Sequence, residues 1–333
     1  MTLKAGDYVE VRSREEILAT LDENSALDNM PFMPEMLRYC GQKVKVGSSA
    51  HKSCDTANKT GGRRLERTVH LEGLRCDGSS HGGCEAGCLL FWKYDWLKAV
   101  GEPAKRVMTQ WDETQLKAAT QTQDAGGTVY SCQATRLFDA SAPLSGLDPR
   151  QYLTDLRTRN VSLGRLLGVL CFAAFRNFAR LGIGYRALIR LYNRIQKLRG
   201  GLQYPYTPGR IPKGSPTPTE SLGLKPGEMV RVKTHDQILS TLNTNNKNRG
   251  LWFDAEMVPY CEKSYRVERR VTRIINESTG RMLEMKNPCI VLEDVYCRSA
   301  YSGGRLLCPR AIFSYWRESW LERVPDPTKR GQV

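Results

Sequence analysis

The chain has little of several things, and each scarcity excludes something. Eleven cysteines and four histidines among 333 residues are too few for a small disulfide-built scaffold. The longest apolar run, Leu166 to Phe175, is about half of what a bilayer crossing needs. Acidic residues are absent from positions 156–219, although the chain as a whole carries 35 of them. The opening stretch Met1 to Asp7 lacks the apolar core of a secretory signal, so the expectation is a cytoplasmic protein with reduced thiols, attached at most peripherally to a membrane. What is present, 40 % hydrophobic and 26 % charged residues, is ordinary for two or three globular domains.

The net charge of +15 is unevenly spread. Residues 1–100 carry 14 basic and 14 acidic side chains, and residues 156–219 carry 12 Lys or Arg with no counterion. One segment therefore supplies most of the positive field.

A shift of 221 positions superimposes two stretches of the chain. Leu3-Lys4-Ala5-Gly6-Asp7-Tyr8-Val9-Glu10-Val11 reads against Leu224-Lys225-Pro226-Gly227-Glu228-Met229-Val230-Arg231-Val232. Phe32, Glu35, Met36, Tyr39 and Cys40 pair with Phe253, Glu256, Met257, Tyr260 and Cys261; after three inserted residues, Cys84, Trp92 and Trp96 pair with Cys308, Trp316 and Trp320. Each copy opens with a turn and an alternating strand, followed by a capping box, Ser13 with Glu16 and Thr234 with Gln237, at the head of a short helix. The predicted organisation is α+β: a first small β-barrel repeat at 1–100 with a Cys/His cluster, a basic α-helical insert at 101–200, a Pro-rich linker at 201–221, a second barrel repeat at 222–325 and a tail at 326–333. The spacing predicts helices from Ser162 to about Leu181 and from Tyr185 to Leu198, broken near Gly182 and Gly184.

The Lys-x-Gly-Asp/Glu-x-Val-x-Val opening of each copy resembles the first strand of SH3-like barrels, which implies that fold for both copies and no activity. The string Arg75-Cys76-Asp77-Gly78-Ser79-Ser80-His81-Gly82-Gly83-Cys84-Glu85-Ala86-Gly87-Cys88 resembles segments of bacterial proteins without an assigned activity, and that resemblance implies no residue roles.

The first copy concentrates cysteine and histidine. Thiolate and imidazole suit zinc, and Cys76, His81, Cys84 and Cys88 are spaced so that a glycine-rich turn can gather them, with Cys40 and Cys54 as substitutes. An iron–sulfur cluster is the lesser alternative, because the spacing fits neither common ferredoxin pattern. A third reading makes Cys84 or Cys88 a nucleophile at the start of a helix Cys88–Trp96, with His81 or His70 as base. Glu35 and Glu72, repeated as Glu256 and Glu293, read as carboxylates that cap a turn or pair with a basic residue of the fold. Trp92, Trp96, Trp316 and Trp320 read as core, and the lone His235 as a surface residue.

The acid-free insert points to an anionic partner. Arg176, Arg180, Arg186, Arg190, Arg194 and Lys197, beside apolar helix faces, suit an anionic membrane surface or an acidic protein partner. Nucleic acid is a further alternative, with Tyr260, Tyr265, Arg266, Arg269, Arg270 and Arg273 as the residues to carry it. The function expected is a non-catalytic, zinc-stapled adaptor or scaffold, against an enzyme or enzyme accessory using the first-repeat cluster.

Overall fold

The computed structural model describes residues 2–58, 60–104, 112–182 and 184–325; the expected tail at 326–333 lies outside them. Helices and strands are mixed, and two antiparallel sheets each curl into a half-barrel. The chain forms two compact units. One comprises Met1–Leu167, Arg273–Glu284 and Gly303–Ile312, the other Gly168–Thr272, Met285–Ser302 and Phe313–Val333.

In the first unit, Gly6 at φ +94° turns the chain into the strand Tyr8–Val11. Val9 and Val11 face the core and Tyr8 faces solvent, as the period of two requires. Ser13 Oγ then accepts the Glu16 N–H while the Glu16 carboxylate accepts the Ser13 N–H, which starts the helix Arg14–Leu18 where the capping box places it. The sheet runs in the order Leu89–Lys93, Thr68–Arg75, Lys43–Ser49, Tyr8–Val11, Leu97–Ala99. Register sets Glu10 opposite both Lys43 and Lys98, and the Lys98 ammonium lies 2.9 Å from the Glu10 carboxylate. Trp92 and Trp96 are fully buried and meet Phe32 edge-on at 6.2 and 5.1 Å.

The stretch read as a helix, Cys88–Trp96, is instead the strand Leu89–Lys93 and a 3₁₀ turn, Tyr94–Trp96. Leu89 to Trp92 is apolar without interruption, so it shows neither period, and a strand with neighbours on both faces is one of the structures such a run supports.

A smaller sheet, Ala142–Leu144, Gly61–Arg64, Lys52–Asp55, flanks the first. The helix Arg150–Arg157 brings Asp155 to it: Lys52 Nζ lies 2.6 Å from Asp155 Oδ2 and also donates to the Leu306 carbonyl at 2.9 Å. Both side chains are almost wholly withdrawn from water.

The second sheet, most of which belongs to the second unit, has the strands Met282–Leu292, Ser264–Ile275, Met229–Val232 and Leu321–Arg323 as neighbours in that order. Phe253 meets Trp316 and Trp320 edge-on at 6.1 and 5.3 Å, the arrangement seen in the first unit. Thr234 caps the helix His235–Leu239. His235, expected at the surface, is buried with its ring stacked on Phe253 at 5.9 Å, and burial pushes its pKa down to about 4. Its polar neighbours in the chain disguise a position on the buried side of that helix. The helices Leu163–Ala179 and Tyr185–Arg199 are separated at Gly182 and Gly184, as read. Phe172, Phe175 and Tyr192 pack with Tyr204, supplied by the Pro-rich stretch.

Asp155→Ala strands the Lys52 charge in the interior and is expected to lower the stability of the first unit by roughly 3–5 kcal/mol. Urea unfolding checks this. The double variant Lys52→Met, Asp155→Ala should recover a large part of the loss, because no uncompensated charge is then buried.

Candidate metal centre

Three elements of the first unit converge on one point. The 3₁₀ turn Pro34–Tyr39 buries Glu35, the strand Thr68–Arg75 delivers Cys76 at its end, and the glycine-rich turn after it folds His81 back. The Cys76 N–H donates to the Cys88 carbonyl at 2.8 Å, and the His81 N–H donates to the Gly78 carbonyl at 3.1 Å, so the turn is pinned at its base and at its middle. Gly78 sits at φ +74°, and a Cβ there would lie 2.0 Å from the Cys84 carbonyl oxygen. Only glycine combines that conformation with that closeness.

Cys76 Sγ is 3.3 Å from His81 Nε2, and His81 Nδ1 is 4.0 Å from Glu35 Oε1. Taking one ligand atom from each residue, all three lie within 4.8 Å of one another, and among the described residues this group can hold a metal ion. In tetrahedral zinc a sulfur and a nitrogen ligand are about 3.5 Å apart, so little movement closes the shell. A narrow cavity of about 40 Å³ has Cys76 and His81 in its wall, room for a water as fourth ligand.

Among the described residues, neither Glu35 oxygen nor His81 Nδ1 has a hydrogen-bond partner, although all three atoms are buried. Burial pushes the Cys76 thiol well above its ordinary value, with Glu35 adding to the effect, and burial pushes the His81 imidazole down against the opposing pull of Glu35 and Asp77. A proton on sulfur and none on the ring leaves the carboxylate without a cation beside it. A divalent ion removes each deficit at once: it displaces the thiol proton, binds the neutral ring and balances the carboxylate.

The sequence named Cys76, His81, Cys84 and Cys88; the structure brings Cys76 and His81 together with Glu35. Cys84 Sγ instead accepts the Ile275 N–H at 3.3 Å, and burial pushes the Cys88 thiol up to about 12. Cys84 and Cys88 share the wall of the cavity but not the three-donor group. Cys40 caps the end of the 3₁₀ turn, its thiol pushed up to about 11 by burial, and Cys54 lies on the strand Lys52–Asp55 beside Cys308. Cys88 precedes a strand, so no helix terminus is there to activate it. Of the other histidines, His70 directs Nδ1 at the Leu90 carbonyl, 2.9 Å away, and His51 packs beside Asp155.

Glu35 is the candidate ligand that sequence reasoning missed. Its counterpart Glu256 does what was expected of both, accepting the Ala300 and Tyr301 N–H groups at 3.1 and 2.6 Å and the Ser302 hydroxyl at 3.0 Å. In the sequence alignment of the two repeats, His81 falls at Ser302 or a neighbour of it. The signal available was a repeated glutamate whose surroundings in the first repeat carry a histidine that the second repeat lacks. Glu72 and Glu293 match the expectation: they approach Lys45 at 3.2 Å and Arg266 at 4.0 Å at the surface.

Protein purified without chelator should carry one equivalent of a divalent metal by elemental analysis, and Glu35→Gln, Cys76→Ser and His81→Ala should each abolish it. Because protons compete for Cys76 and His81, the metal should be released as pH falls, and the metal-free protein should melt several degrees lower. Gly78→Ala should lose the ion without touching any ligand. No protein-family model and no curated protein sequence matches this chain, so the assignment rests on these atoms.

Proposed function

We propose that the protein is a non-catalytic adaptor built on two SH3-like copies of one domain, the first stapled by zinc at Glu35, Cys76 and His81, with the basic helical segment docking on an anionic membrane surface. Nitrogen, oxygen and a single sulfur make a donor set that suits zinc, whereas an iron–sulfur cluster needs several thiolates.

The observation that carries the docking is the outer face of the helix Leu163–Ala179. Leu163, Leu167, Cys171, Ala174 and Phe178 recur every three or four residues and are exposed. The opposite side of the helix is occupied: Leu166 and Val169 are buried, and Phe172 lies 4.9 Å from Tyr301, edge-on. An apolar face left in water next to cations is the pattern of a helix lying in a lipid interface. Among the described residues Arg180, Arg186, Arg190, Arg194 and Lys197 are exposed and make no ion pair. Arg176 differs from them, being half-buried with its guanidinium 2.9 Å from the Tyr206 hydroxyl. No helix among the described residues is long and apolar enough to cross a membrane, so the contact proposed is peripheral.

The arginines that would carry nucleic-acid binding have other engagements. Arg270 pairs with Glu318, Arg269 pairs with Glu268 and lies over the Phe313 ring at 4.7 Å, and Tyr260 is buried. One observation favours a second reading: Cys76, His81 and Glu35 stand in the order of nucleophile, base and orienting acid. The directions of the shifts oppose it, since a nucleophile needs a lowered thiol pKa. Rapid alkylation of Cys76 at neutral pH in metal-free protein would favour that reading.

Vesicles containing anionic phospholipid should float the full chain, and neutral vesicles should not. Phe178→Glu and the pair Arg190→Glu, Arg194→Glu should each reduce recovery at least about tenfold, the second with a steeper dependence on salt.

A further inference from the structure

We infer that Cys54 and Cys308 form a redox-active dithiol in the first unit, which closes to a disulfide when a hydroperoxide oxidises the protein. They are far apart in sequence, and neither belongs to the proposed metal centre. Three polar contacts hold the strand Lys52–Asp55 and the segment Gly303–Ile312 alongside each other. Lys52 Nζ donates to the Leu306 carbonyl at 2.9 Å, and Arg310 Nη1 donates to the Cys54 carbonyl at 3.2 Å and to the Thr56 hydroxyl at 2.9 Å. Cys54 and Cys308, both buried, each stand two residues beyond the Lys52–Leu306 contact and two before the Thr56–Arg310 contact, so these contacts bracket the two thiols on neighbouring segments. Both are reduced in this structure.

The surroundings favour a thiolate. The neighbouring Cys308 thiol, with help from the Arg310 and Arg305 charges, pulls the Cys54 thiol below its ordinary value against the effect of burial. Arg310 is itself buried and paired with Glu277 at 2.7 Å. The cysteines Cys76 and Cys88 have their thiols pushed up by burial, which leaves Cys54 the distinct one. A thiolate beside a second thiol is the reduced form of a dithiol–disulfide couple. A hydroperoxide is small enough for so enclosed a pair.

The steps balance. The Cys54 sulfur attacks one oxygen of hydrogen peroxide; an S–O bond forms, the O–O bond breaks, and the departing hydroxide takes up the proton that Cys54 released, giving water and a sulfenic acid. The Cys308 sulfur then attacks the Cys54 sulfur; an S–S bond forms, the S–O bond breaks, and hydroxide leaves with the Cys308 proton as a second water. Two electrons pass from the sulfur pair to the peroxide. The product ties Gly303–Ile312 covalently to the strand Lys52–Asp55.

The test treats the full chain with hydrogen peroxide, removes the oxidant, alkylates under denaturing conditions and maps peptides without reduction. Expected are a linked peptide pair containing Cys54 and Cys308, two fewer alkylated thiols, and a melting midpoint raised on the order of 5 °C, all reversed by dithiothreitol. Cys308→Ser should halt Cys54 at the sulfenic acid, captured by dimedone; Cys308→Ala serves if the serine disturbs folding. Peroxide-treated wild-type protein with all its thiols still alkylated, or with Cys54 linked to a different cysteine, would overturn the inference.

Discussion

Burying the Glu35 carboxylate without a hydrogen-bond donor is the constraint on which the first unit's chemistry depends. A carboxylate taken out of water needs donors or a cation, and a deficit of this kind costs several kcal/mol. Among the described residues no donor removes it, because the nearest groups are a thiol and an imidazole whose own burial disfavours their charged forms. Soft and borderline donors with an acceptor-only carboxylate form a set in which a divalent ion satisfies every member.

The second unit shows how a buried glutamate is handled without an ion. Glu256 receives two backbone N–H groups and a hydroxyl, and it needs no cation. In the first unit, turns built on glycines replace that cradle, with Gly78, Gly82, Gly83 and Gly87 all at positive φ, and the loop carries His81. The surroundings separate a glutamate that caps a loop, Glu256, from one that faces a thiol and a ring, Glu35.

Much of the local structure was legible because it is encoded locally. The capping boxes at Ser13 and Thr234 mark their helices within a few residues, and Gly182 and Gly184 mark the break between the two long ones. The tryptophan core was legible because rings that large are rarely left in water. Less legible were features set by distant partners. His235 has polar neighbours in the chain and apolar ones in space. Leu89 to Trp92 has no period to read. Lys52 and Asp155 are a buried pair about a hundred positions apart, and no spacing rule announces it.

Taken by itself, the sequence determined composition, the uneven charge, the repeated pattern and the helix ends, since each depends on residues near one another in the chain. Only the tertiary structure decided which of many cysteines, histidines and glutamates meet. It set Glu35 against Cys76 and His81, left Cys84 to a backbone N–H, and set Cys54 against Cys308, because coordination and sulfur chemistry act over a few ångströms while the residues concerned are separated by up to hundreds of positions.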